Sequence, residues 1–288
     1  MENSYRCFVI LFVCLLVVTS SCESQQQPYA SPPGYNLNNP RRFNMPNVLR
    51  EISGIAFYKG TGDTLYAEQD EEGKVFRFSL GDANVQVTRF GKKGDFEDIS
   101  IVNDYIIMLR SDGVLFTFPI TEMRKKETDK VKIFEGLLPV GEYEGLASES
   151  MSNKLYVLCK HCRDEKTNKW GGGTILKIDT AGMLTPAGNF ELDIKEIDAI
   201  SHSRKINFHP SALAQNPLTK EWFILSSVNK ILVVADQNWK IKSVYPLNPS
   251  LFVQPEGIAF DRQQNIYISN EQGLSSAATI LLFSYNKN

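Results

Sequence analysis

The chain has 288 residues, and its 31 Lys and Arg against 33 Asp and Glu leave a formal net charge of −2. That balance gives no basic excess to neutralise a phosphate backbone, so no nucleic-acid partner is expected. With 42% hydrophobic and 22% charged residues the composition excludes wholesale disorder, and internal repeats must decide whether the length makes one domain or two.

Arg6 precedes an unbroken apolar run, Cys7 to Val18, which is closed by Thr19, Ser20, Ser21 and Cys22. A short positive start, an apolar stretch too short to span a membrane comfortably and a small-residue end read as a signal peptide over residues 1–21. Its end resembles a bacterial lipoprotein lipobox, which implies lipidation of Cys22 as the first residue of the mature chain. Val18 and Thr19 stand where Leu and a small residue are commoner, so ordinary cleavage nearby and an uncleaved anchor stay open. Residues 22–34 are polar and Pro-rich and read as a tether, with the globular domain over 35–288. The expected location is the bacterial cell envelope, with the domain outside the cytoplasm and held to a membrane by the lipid on Cys22.

One phrase then recurs: EISGIAF from Glu51, FEDISIV from Phe96, YEGLASE from Tyr143, HPSALAQ from His209 and PEGIAFD from Pro255. Placing Ser53, Glu97, Glu144, Ser211 and Glu256 in register gives intervals of 44, 47, 67 and 45 residues. A period in the forties built of short strands predicts an all-β propeller in which each repeat is a blade of four antiparallel strands. Second strands are expected at Leu65 to Ala67, Ile106 to Leu109, Leu155 to Leu158, Trp222 to Leu225 and Ile266 to Ser269, all rich in β-branched and aromatic residues. A third run follows in every repeat, whereas the chain ends before repeat five can supply a fourth. Tyr35 to Pro40 with Phe43 and Pro46 resembles Tyr245 to Pro249 with Phe252 and Pro255, so the N-terminal segment is expected to supply that outer strand and close the ring. Five blades is the expected count. Six is the alternative, with a degenerate blade hidden in the long third interval.

The ordered set EISGI, FEDI, YEGLA, HPSALA and PEGIAF resembles the SdiA-regulated (YjiK-like) family of exported bacterial propellers, and single phrases resemble NHL repeats. The resemblance covers about residues 35 to 288, and Asp98 departs from it where repeat two would carry Gly. It implies an envelope-located, calcium-responsive propeller without a settled catalytic activity.

The first strand of each blade lines the channel of a propeller, so Ser53, Glu97, Glu144, Ser211 and Glu256 are expected to form one ring. Glu51, Asp95, Glu142, His209 and Gln254, two residues earlier, form a second. Like charges crowded into a channel need a cation, shared protons or a basic side chain. Oxygen donors suit calcium, so Glu97, Glu144 and Glu256 are the candidate metal ligands, with Ser53, Ser211 or water completing the shell. The alternative is that the glutamates accept backbone hydrogen bonds and pair with Arg110 or Lys160. Loops after each second strand, carrying among others Arg110 and Glu271, open on the same mouth and make it the expected binding face.

Repeat three carries Cys159-Lys-His-Cys162 and a charged, Gly-rich insertion to Gly173, which would account for most of the extra length. Its cysteines admit a local disulfide, two thiols or, with His161, a zinc site. No G-x-S-x-G, H-E-x-x-H or Walker-type loop occurs, and no catalytic residue is assigned. The sequence therefore reads as a membrane-tethered binding or signalling module for a protein or small-molecule ligand, with calcium at an acidic mouth. The alternative is a metal-dependent hydrolase of the phosphoesterase or lactonase type using the same carboxylates, with His209 as the candidate base.

Overall fold

The computed structural model describes residues 29–82, 84–149, 152–162, 170–201, 206–274 and 277–287. The signal peptide, Cys22 and most of the tether lie outside these residues. Residues 29–34, at the end of the tether, are held against the domain: Asn38 Nδ2 donates to the Tyr29 carbonyl at 2.7 Å and the Leu37 amide to Ser31 Oγ at 2.9 Å.

The chain enters through β1 (Arg41–Asn44) and then builds four complete blades in order. Blade 1 is β2 (Ile52–Phe57), β3 (Leu65–Gln69), β4 (Glu72–Phe78) and β5 (Gln86–Lys93). Blade 2 is β6 (Phe96–Val102), β7 (Tyr105–Arg110), β8 (Leu115–Pro119) and β9 (Lys132–Phe134). Blade 3 is β10 (Gly141–Ser148), β11 (Lys154–Cys162), β12 (Trp170–Ile178) and β13 (Leu184–Asp193), followed by helix α1 (Ile194–Ser201). Blade 4 is β14 (Ala212–Gln215), β15 (Trp222–Ser226), β16 (Ile231–Ala235) and β17 (Ile241–Pro246). Blade 5 is β18 (Pro255–Phe260), β19 (Ile266–Asn270), β20 (Thr279–Phe283) and, outermost, β1. Every strand pairing is antiparallel, and β1 closes the ring by pairing Arg41 with Leu282 and Asn44 with Thr279.

The inner and middle strands are buried on both faces because each sheet is sandwiched between two neighbours; β2, β15 and β16 are buried along their whole length. One apolar core fills each of the five blade interfaces. Between blades 3 and 4, for example, Trp239 stacks on Trp222 at 4.5 Å and on Phe190 at 4.1 Å. Among the described residues all buried core residues and all sheets lie within residues 37–283, so a chain without the signal peptide retains every described element of the ring.

Among the described residues the long third interval holds no sixth blade. The CKHC insertion is one part of its excess; strands of 9, 9 and 10 residues in β11, β12 and β13 and the 8-residue α1, packed on β17, take up the rest.

Candidate functional site: an acidic channel mouth

Adjacent inner strands β2, β6, β10, β14 and β18 contact one another around the ring and bound the channel. Their N-terminal ends carry the aligned residues, and the pairing is irregular at that point in four blades. The register skips between Ile52 and Ile55, Phe96 and Asp98, Tyr143 and Gly145, and Pro255 and Gly257. Ser53, Glu97, Glu144 and Glu256 are thus bulged residues, which a β-bulge turns out of the regular alternation. Ser211 immediately precedes β14 and plays the fifth part, its amide donating to Leu225 at 2.9 Å.

The two serines tie blades together: the Ser53 hydroxyl donates to the Glu97 carbonyl at 2.9 Å and the Ser211 hydroxyl to the Pro255 carbonyl at 3.0 Å. Asp98 acts in the same way. It is 4% exposed, and its carboxylate accepts from the Ile99 amide at 2.8 Å and, across to blade 3, from the Leu146 amide at 2.6 Å. Gly54 accommodates it, since a Cβ there would stand 2.3 Å from Asp98 Oδ1.

The counter-charge comes from β11. Tyr143 lies opposite Cys159 and Glu142 opposite His161, leaving Lys160 as the extra residue of a bulge, and a Cys159–Cys162 disulfide closes the element. Lys160 Nζ lies 2.5 Å from Glu144 Oε1 and 3.1 Å from Glu142 Oε1. His161 Nδ1 meets Glu142 Oε2 at 2.8 Å, and its ring stands 5.1 Å from that of His209. Arg110 goes elsewhere, to Asp112 through two contacts of 2.8 Å. Asp95 is exposed and accepts from the Ser111 hydroxyl at 2.6 Å, and Glu51 lies 3.3 Å from Arg50. Gln254 Nε2 donates to Glu271, and Asn207 Nδ2 lies 2.7 Å from His209 Nε2.

Lys160 leaves several carboxylates uncompensated, and their proton affinities record it. Burial, then repulsion from Glu144, raises Glu97 to about 9 and Glu256 to about 7. Burial and then Glu256 raise Glu271 to about 8, and burial and then Glu51 raise Asp70 to about 6. Glu144 is also raised by burial, against the pull of Lys160. Glu142 is held low: its own desolvation opposes this, and His161 and Lys160 overcome it.

Glu68 falls one residue beyond the expected second strand, Leu65 to Ala67. It lies in β3, wholly buried, with Oε1 accepting from the Gly54 amide at 2.6 Å; its counterparts in the next three blades, Leu109, Leu158 and Leu225, are apolar, which was the signal to notice. Lys230, whose Nζ donates to the Val253 carbonyl at 2.7 Å beside Glu256, was also missed.

Five sheets closed by the N-terminal strand around a carboxylate-lined mouth define a five-bladed β-propeller. The chain belongs to the SdiA-regulated family, whose model matches residues 31–274. No curated protein matches it. Among solved structures it is similar to glutaminyl cyclase from Myxococcus xanthus, with 12% identity and a TM-score of 0.54 over 86% of this chain and 96% of that one. It is also similar to the calcium-binding protein regucalcin from Agrobacterium tumefaciens, with 13% identity and a TM-score of 0.51 over 90% and 96% of the two chains. These likenesses are of fold alone.

Proposed function

We propose that the protein is a binding or signalling module of the bacterial cell envelope, tethered through Cys22, whose acidic mouth takes a cation in exchange for protons. The observation that supports this reading is the surplus of carboxylate over cation. Glu97, Glu256 and Glu271 crowd one end of a channel whose inner ammonium, Lys160, is already held by Glu144 and Glu142. A soluble cation relieves the same repulsion that raises their proton affinity.

The donors are of the kind calcium prefers, but they are not arranged as a calcium shell. Among the described residues no three His, Cys, Asp or Glu side chains stand together as a metal site, and the Ser53 and Ser211 hydroxyls donate to carbonyls. Calcium binding therefore requires Glu97 and Glu256 to lose their protons and turn toward a common centre. Calorimetric titration of the purified domain with calcium at pH 6 and pH 8 tests this. Binding should tighten at pH 8, release protons and raise the melting temperature, and Glu97→Gln and Glu256→Gln should each weaken it at least ten-fold. No heat and no melting shift at millimolar calcium would refute the calcium reading.

A further inference from the structure

At the opposite end of the channel the inner strands open into a cavity of about 600 Å³, within the range of small-molecule sites. Its walls follow the repeat. Three residues beyond each ring position stand Ala56, Ser100, Ala147, Ala214 and Ala259, whose small side chains keep the space open. One step nearer the carboxylates, Ile55, Ile99, Leu146, Leu213 and Ile258 make an aliphatic floor. An apolar body placed there meets the aliphatic floor, while the rest of the lining, toward the strand ends and rim, is polar and can hydrogen-bond water or a polar head.

Two polar features shape what such a body must carry. Ser100 is 4% exposed, lines the cavity and has no hydrogen-bond partner for its hydroxyl among the described residues. At the rim, Lys59 faces Asp104 at 3.1 Å and Glu149 faces Lys154 at 3.6 Å, while Asp261, 2% exposed, is turned inward to Asn265 and Tyr267. Arg262 is exposed, has no carboxylate partner among the described residues and lies across the blade 5 to blade 1 seam, its amide donating to the Gly60 carbonyl at 2.9 Å. The accessible uncompensated charge at this rim is therefore positive.

We infer that this second mouth binds a small amphiphilic carboxylate, its apolar body on the aliphatic floor, its head at Arg262, and Ser100 available to an oxygen along its length. The site is separate from the acidic mouth and does not depend on the cation reading. Octanoate, octylamine and 1-octanol, each below its aggregation limit, are titrated calorimetrically into a chain beginning at Glu23, which retains all five cores. Octanoate should bind one to one and octylamine more weakly. Arg262→Gln, an exposed change, should weaken octanoate about three-fold, leave 1-octanol unchanged and remove the preference over octylamine, as expected for a solvent-exposed ion pair. Ala214→Leu, confirmed folded by circular dichroism, should weaken octanoate and octanol alike, and Glu97→Gln at the other mouth should affect neither. Failure of octanoate to bind at millimolar concentration, equal binding of octylamine, or indifference of binding to a folded Ala214→Leu would each overturn the inference.

Discussion

Burial alone would lower the pKa of the Lys160 ammonium; Glu144 and then Glu142 overcome that and hold it up. Lys160→Met should lower stability by about 1–3 kcal/mol, less than for a wholly buried pair, because the lysine retains a quarter of its side-chain exposure. The loss, read by chemical denaturation, should shrink as falling pH protonates Glu144, whose proton affinity burial raises, while Glu142, held low, keeps part of it. The other carboxylates set a pH dependence of opposite sign to that of a salt-bridged acid. Glu97, Glu271 and Glu256 titrate near 9, 8 and 7 in the folded protein against an ordinary 4.5. Between those values the folded state binds more protons than the unfolded state, so the stability these groups contribute is complete below about pH 4.5 and is lost progressively as pH rises through 9. Melting temperatures from pH 5 to 9 should fall, and Glu97→Gln, which cannot ionise, should be more stable than the unaltered protein at pH 9. A melting temperature that climbs across this range would contradict the assigned protonation.

At the scale of elements, the CKHC segment is a disulfide-closed bulge that carries Lys160 and His161 to the mouth. Because the loop it closes is so short, chain entropy assigns the disulfide only about 2 kcal/mol. Replacing both cysteines with serine should therefore cost little stability, while also loosening Lys160. The measurable sign is a larger fall in melting temperature at pH 8 than at pH 5, since only ionised carboxylates need the ammonium. Strand β1 has a different task. Removing residues up to Asn44 strips the outer strand from β20 and takes away Leu37, 2% exposed and packed in the core between blades 4 and 5. The truncated chain should melt broadly rather than in one transition and should scatter light at lower temperature, because an open sheet edge templates association.

For the molecule as a whole, one core between each pair of blades and one strand closing the ring make stability a property of the circle rather than of any blade. Closure also creates two unlike ends to a single channel. The acidic end follows from where each inner strand starts, and the cavity with its aliphatic floor and polar rim from where it finishes. A cation at one mouth and an amphiphile at the other can therefore bind without competing for side chains.

The repeat phrase and its spacing by themselves determined blades of four antiparallel strands and the alignment of Ser53, Glu97, Glu144, Ser211 and Glu256; they favoured five blades over six, and the likeness of the Tyr35 segment to the Tyr245 segment pointed to the closing N-terminal strand. Such features repeat along the chain, and residues at equal intervals must occupy equal places in a closed ring. What only the tertiary structure decided is pairwise and through space. Lys160 rather than Arg110 meets the glutamates because a disulfide-pinned bulge turns it inward while Asp112 captures Arg110. Asp98 in a glycine's place bridges two blades, and four alanines with Ser100 leave a cavity where the aligned phrases show only small residues. Local pattern records which face a residue takes; the partner it meets depends on how neighbouring blades pack around the axis.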